Sequence, residues 1–174
     1  MNTVEPTGRR EPTARQRAES LKERVYISFT SLAVVLALSS HADETTPGAA
    51  AATLSIVVVG SLLGIFVADL LSHLTVRAKL PSGHELHHMI AVSTEALSVL
   101  VTPLLLLTAA GLGLWSTAVA LQWAVVVLVV TLLVIGYLAI RRLDLPVHYK
   151  AVIVLAEVVL SLLVIGLELL AHNL

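Results

Sequence analysis

The chain has no cysteine, which excludes disulfides, thiolate metal sites and cysteine nucleophiles. Aromatic residues make up only 4% of it, too few for the stacking platforms that hold single-stranded nucleic acid. Charged residues are scarce as well, at 13% against roughly 25% in an ordinary soluble domain. A formal net charge of −1 supplies no global field to attract nucleic acid. What remains is largely hydrocarbon, since 57% of the 174 residues are hydrophobic. A soluble domain of this size has no core large enough to hide that much apolar surface, whereas a lipid bilayer is a solvent suited to it.

Five apolar stretches alternate with polar segments, which predicts an all-α membrane protein, a five-helix transmembrane bundle. The expected spans are residues 25–40, 49–76, 84–112, 117–140 and 147–171. They form one transmembrane domain, 25–174, preceded by a polar, basic arm, 1–24. The first dozen residues hold two prolines and a glycine and read as disordered. Thr13 and Gln16 have the spacing of a capping box that opens a short helix running into the membrane.

Crossing the hydrocarbon takes about 20 residues, so the first stretch is short, and Arg24 is expected to extend it by snorkelling to the interface. A cleaved signal peptide is the rival reading, because Ser40-His41-Ala42 supplies small residues at cleavage positions. The long basic segment before this stretch, and Tyr26, Ser28 and Thr30 within it, favour a retained helix. In the third span Pro103 predicts a kink, since proline removes a backbone hydrogen bond. Gly111–Ser116 reads as a tight turn with Trp115 at interface depth.

The basic residues set the expected orientation. All eleven Lys and Arg fall in the N-terminal arm, the 77–83 connector and the 141–150 loop. Cytoplasmic loops are enriched in Lys and Arg, and five spans put these three segments on one side. The N-terminus is then cytoplasmic and the C-terminus outside, in the plasma membrane, as for a bacterial inner-membrane protein. In the second span Gly60, Gly64, Ala68 and Ser72 recur every four residues, a small-residue stripe that lets another helix approach closely. Packing inside the protomer is the favoured use of that stripe, and a dimer seam the other.

Ionisable residues inside a membrane are costly and usually face a bundle interior or a cavity. Three carboxylates stand out: Asp69, Glu95 and Glu157. Each lies about 10–17 Å from the cytoplasmic end of its helix, so the three are expected to cluster if their spans are neighbours. Glu157 and Glu168, eleven residues apart, share one face with Ser161 and His172, a stripe toward the outer surface that would extend an ion or proton pathway. Asp69 and His73 also share a face, as do His84, His88 and Glu95, whereas His87 points aside. Together with His148 these histidines form an expected vestibule on the cytoplasmic side. Such a set suits either a bound divalent metal ion, ligated by His73, His84, His87 and His88, or histidine-assisted proton transfer to buried carboxylates.

The run His84-Glu85-Leu86-His87-His88 resembles an HxxHH histidine box of the membrane di-iron desaturases and hydroxylases. That family uses several boxes; this chain has one such run and seven histidines in all. The resemblance implies histidine ligands for one or two metals. Potassium-channel filter, Walker A and rhomboid signatures are absent.

Three functions therefore follow as expectations. The first is a small multi-pass transporter or channel for protons or a divalent cation, non-enzymatic, using the intramembrane carboxylates and the cytoplasmic-side histidines. The second is an accessory or structural subunit of a membrane complex, and the third a membrane-embedded metalloenzyme. Expected partners are the lipid bilayer and either a second copy of the chain or a membrane partner protein, with no nucleic acid.

Overall fold

The computed structural model describes residues 14–77, 83–141 and 146–172. Its regular structure is helical throughout: α1 (Ala14–Ser39), α2 (Pro47–Arg77), α3 (Gly83–Ala96), α4 (Ser98–Gly111), α5 (Thr117–Arg141) and α6 (Val147–His172). No strand occurs among the described residues. Lys22, early in α1, lies beside Asp69, late in α2. Pro47, opening α2, lies beside Gly111, closing α4. Helix α2 thus runs opposite to both α1 and α4. We call the end where α1 starts basal and the opposite end apical.

Helix α1 is the axis of the bundle. It packs against each of the other five helices. Ile27, Leu32, Val35 and Leu36 are buried there, with Ser28, Ser31 and Glu23 on the same inward stripe. Serines are tolerated in that position because a hydroxyl can return its hydrogen bond to the preceding turn, as Ser28 Oγ does to the Arg24 carbonyl at 2.8 Å. The helix starts at Ala14, so the polar residues before 25 belong to the same helix as the apolar ones after it. Thr13, the expected cap, lies outside the described residues. Cleavage after residue 40 would remove the helix around which the others are arranged.

Helix α2 opens on Thr46, whose Oγ1 accepts the Ala49 amide at 3.2 Å, with Pro47 in the first helical turn, where its missing N–H costs nothing. Its 31 residues make it about 46 Å long, well beyond the roughly 30 Å of a hydrocarbon core. The third expected span is two helices. The interruption falls at Leu97, where Leu97 and Leu100 make i→i−3 hydrogen bonds of 3.2 and 3.0 Å. Pro103, the expected kink, is buried inside α4. Leu97 keeps a right-handed helical backbone, so the chain tightens there without turning back.

The α4–α5 turn is a Schellman cap. Gly113, at φ +82°, donates to the Ala110 carbonyl at 2.9 Å, and Leu114 donates to the Ala109 carbonyl at 3.1 Å. Glycine adopts that φ without the Cβ penalty. The Trp115 indole N–H fastens the turn to the Leu106 carbonyl at 3.1 Å.

Three stretches among the described residues are long and apolar enough to cross a membrane: Pro47–Val76, Ser93–Gly111 and Thr117–Arg141. Their outward faces carry large exposed hydrophobic residues such as Ile56, Leu63, Leu71, Leu105, Val126 and Val130. So much apolar surface is a liability in water and natural in lipid. The chain has the build of an integral membrane protein.

Candidate functional site

Polar and charged groups gather at the two ends of the bundle, and of the three carboxylates expected to share one cluster Asp69 and Glu95 belong to the basal group, whereas Glu157 stands apart from both. At the basal end, α1 brings Ser20, Lys22, Glu23 and Arg24 against α2 and α3. Lys22 Nζ is 3.9 Å from Asp69 Oδ1. Arg24 Nη1 is 3.5 Å from Glu95 Oε1, and Ser20 Oγ donates to Glu95 Oε2 at 2.9 Å. Ser93 Oγ donates to the buried Glu23 at 3.3 Å. Asp69 and Glu95 therefore serve as counter-charges to the arm that sequence reading left outside the domain. Arg24, expected to snorkel to the interface, is paired with Glu95.

The last turns of α2, the start of α1 and most of α3 meet at the basal end in a polar stub. Asp69 and Glu95 are correspondingly half-exposed, their side chains 40% and 55% accessible. Exposed ion pairs are modest in strength, typically about 0.2–1 kcal/mol each. The network fixes how the stub is arranged more than it stabilises the fold.

Glu157 is placed differently. It belongs to α6, which packs on α5 and α1, away from Asp69 and Glu95. Its carboxylate lies against the α-carbon of Gly136 in α5: a methyl group built on Gly136 would stand 2.6 Å from the carboxylate carbon and 2.7 Å from Oε1. Oε2 is buried and has no hydrogen-bond partner among the described residues. Ser161, one turn further along, is buried and spends its hydroxyl on the Glu157 main-chain carbonyl, at 3.0 Å, and so does not serve the carboxylate. Two further buried polar atoms without partners among the described residues are Ser31 Oγ and Arg24 Nε, both on α1, which packs against α6.

At the apical end, a cleft of about 320 Å³ is lined by Ser39, Ser40, His41, Ala42, Asp43, Glu44 and Ala118. It opens beside the end of α1.

The histidine vestibule is described only in part. His73 is half-buried on α2 and His87 is exposed on α3, whereas the side chains of His84 and His88 lie outside the described residues, as does that of Glu168. Among the described residues no group of three or more His, Asp or Glu is arranged to hold a metal ion.

The small-residue stripe of α2 faces outward, contrary to the favoured expectation. Gly60, Gly64 and Ala68 are exposed, and a methyl group added at Gly60 or Gly64 would meet nothing within 4 Å. The neighbours of α2 take its other face, through Ala50, Leu54, Val58 and Leu62.

Sequence reasoning missed Gly136 as the seat of Glu157, and Ser20, Lys22, Glu23, Arg24 and Ser93 as partners of the carboxylates. A signal for the second group was present: Ser20, Arg24, Ile27, Ser28 and Ser31 keep helical spacing straight through the polar–apolar boundary. Comparison with known protein families, with curated proteins and with solved structures found no match.

Proposed function

We propose that the chain is a five-span inner-membrane protein, N-terminus cytoplasmic and C-terminus outside, that conducts protons across the bilayer through Glu157. In this reading α1, α2, α3–α4, α5 and α6 each cross once, and the basal end is cytoplasmic. The observation that carries the proposal is the half-buried Glu157, whose Oε2 is buried and has no hydrogen-bond partner among the described residues. An ionisable group held in a membrane span at such cost is a functional-site candidate by default. A proton is the cargo that suits it, because one carboxylate can hold a proton, whereas a divalent cation asks for several ligands at once, about four for Zn²⁺ and six or more for Ca²⁺.

Buried polar atoms without protein partners are the usual company of ordered water. Ser31 and Arg24 Nε on α1 would guide water from the basal stub toward Glu157, and the cleft around His41, Asp43 and Glu44 would receive the proton at the apical end. Asp69 and Glu95 act in this scheme as structural counter-charges at the entrance.

The test is proton flux into liposomes holding the purified chain and an internal pH indicator, driven by an imposed gradient. Glu157→Gln, which keeps shape and removes the titrating group, is expected to lower flux at least tenfold, about 1.4 kcal/mol in the barrier. Asp69→Asn and Glu95→Gln are expected to keep most of it. Equal flux in folded Glu157→Gln and wild-type protein would end the proposal.

The outward stripe Gly60-Gly64-Ala68 favours a second reading, an accessory subunit that docks a membrane partner through α2. Stoichiometric co-purification of one partner, lost in Gly64→Leu, together with tolerance of Glu157→Gln, would select it.

A further inference from the structure

We propose that the basal end of the α5–α6 hairpin is a binding site for an anionic phospholipid. The helices supply both parts such a lipid needs. On α5, Val126, Val130, Val134 and Leu138 recur at helical spacing and are each about half-exposed, an apolar track along which an acyl chain can lie. Arg141 continues that spacing and ends the helix, exposed. Tyr137, 55% exposed, and Tyr149 of α6, 56% exposed, put phenol rings at the depth where aromatic residues meet lipid headgroups.

Charge selects the headgroup. Between Tyr137 and Lys150 the sequence carries three basic residues and one acidic. Neither Arg141 nor Lys150 has a carboxylate partner among the described residues. Lys22 and Arg24, the basic groups of the other basal cluster, are paired. The α5–α6 hairpin thus presents unneutralised positive charge next to an apolar track, and a phosphate headgroup with an attached acyl chain complements both. Each basic group near an anionic surface strengthens binding several-fold, so two of them give an expected preference of about thirtyfold over a zwitterionic lipid.

This inference rests on the membrane reading of α5 and α6 and is independent of proton conduction. Native mass spectrometry of the detergent-solubilised full chain, titrated with phosphatidylglycerol or with phosphatidylcholine of the same acyl chains, tests it. The wild-type protein is expected to bind phosphatidylglycerol about thirtyfold more tightly. Arg141→Gln with Lys150→Gln is expected to abolish the preference while leaving phosphatidylcholine binding unchanged, and Lys22→Gln to preserve it. Equal affinity for the two lipids, or a preference that survives the double substitution, overturns the proposal. Displacement of the lipid by equimolar inorganic phosphate overturns the assignment to a lipid. A chain that stays monodisperse without detergent would sink the membrane reading itself, whereas a detergent-requiring chain indifferent to headgroup sinks only the site.

Discussion

The carboxylate of Glu157 rests against the bare α-carbon of Gly136, and no larger residue fits there without moving it. A polar group in an apolar helix pair is tolerated here because its neighbour has no side chain. The fit joins a sequence detail, one glycine in the Val- and Leu-rich α5, to the placement of Glu157, which of the three carboxylates Asp69, Glu95 and Glu157 is the one outside the basal network.

Gly136→Ala is therefore expected to lower stability by about 1–3 kcal/mol, the usual effect of overpacking, despite the better helix propensity of alanine. Adding Glu157→Ala should recover most of that loss, because the clash disappears with the carboxylate. Thermal unfolding of the two single variants and the double variant in detergent measures the coupling. Additive losses would mean that the two residues do not share the space.

The opposite outcome is expected on α2. Gly60→Ala and Gly64→Ala place a methyl group in open surroundings and gain up to about 1 kcal/mol of helix propensity. The midpoint of unfolding of the single chain should hold or rise. A sharp fall would mean that the outward stripe is already occupied by another helix.

At the basal stub, reversing one charge puts like charges face to face. Arg24→Glu or Glu95→Arg is expected to cost about 1 kcal/mol, as befits a half-exposed pair, and the combined reversal to restore most of it. The effect should shrink in high salt, because exposed pairs are screened. Full additivity of the single reversals in a denaturation series would dissolve the Arg24–Glu95 link.

Gly113→Ala forces a Cβ into the left-handed region at φ +82°, at a cost of about 1–2 kcal/mol. Loss of the Schellman cap loosens the α4–α5 turn, so the amide protons of Gly113 and Leu114 should exchange faster with solvent. Unchanged exchange at both would show that the turn does not depend on the glycine.

Membrane character, and the helices α2, α5 and α6 nearly to their ends, were legible in the sequence, because long uncharged apolar runs have few other interpretations. For α1 a helix running into the first apolar stretch was legible from the Thr13–Gln16 spacing, but Arg24, where hydropathy changes sign, was taken as the edge of the domain although one continuous helix passes through it. The same boundary hid the partners of Asp69 and Glu95, because the Lys22, Arg24 and Ser20 side chains that meet them lie on the polar side of it. The orientation of the small-residue stripe was not readable, since spacing defines a face but not what that face meets. Gly136 shows the same limit, because a glycine in a run of valines has no significance until the neighbouring helix supplies a side chain to fill its place.

The central position of α1 also bears on how the chain is made. Helix α1 carries Glu23, Ser28 and Ser31 on the face that ends up enclosed, and so is the helix least suited to wait alone among lipid tails. The helices that enclose it, α2 to α6, all follow it in the chain. Its stable integration is therefore expected to depend on their arrival.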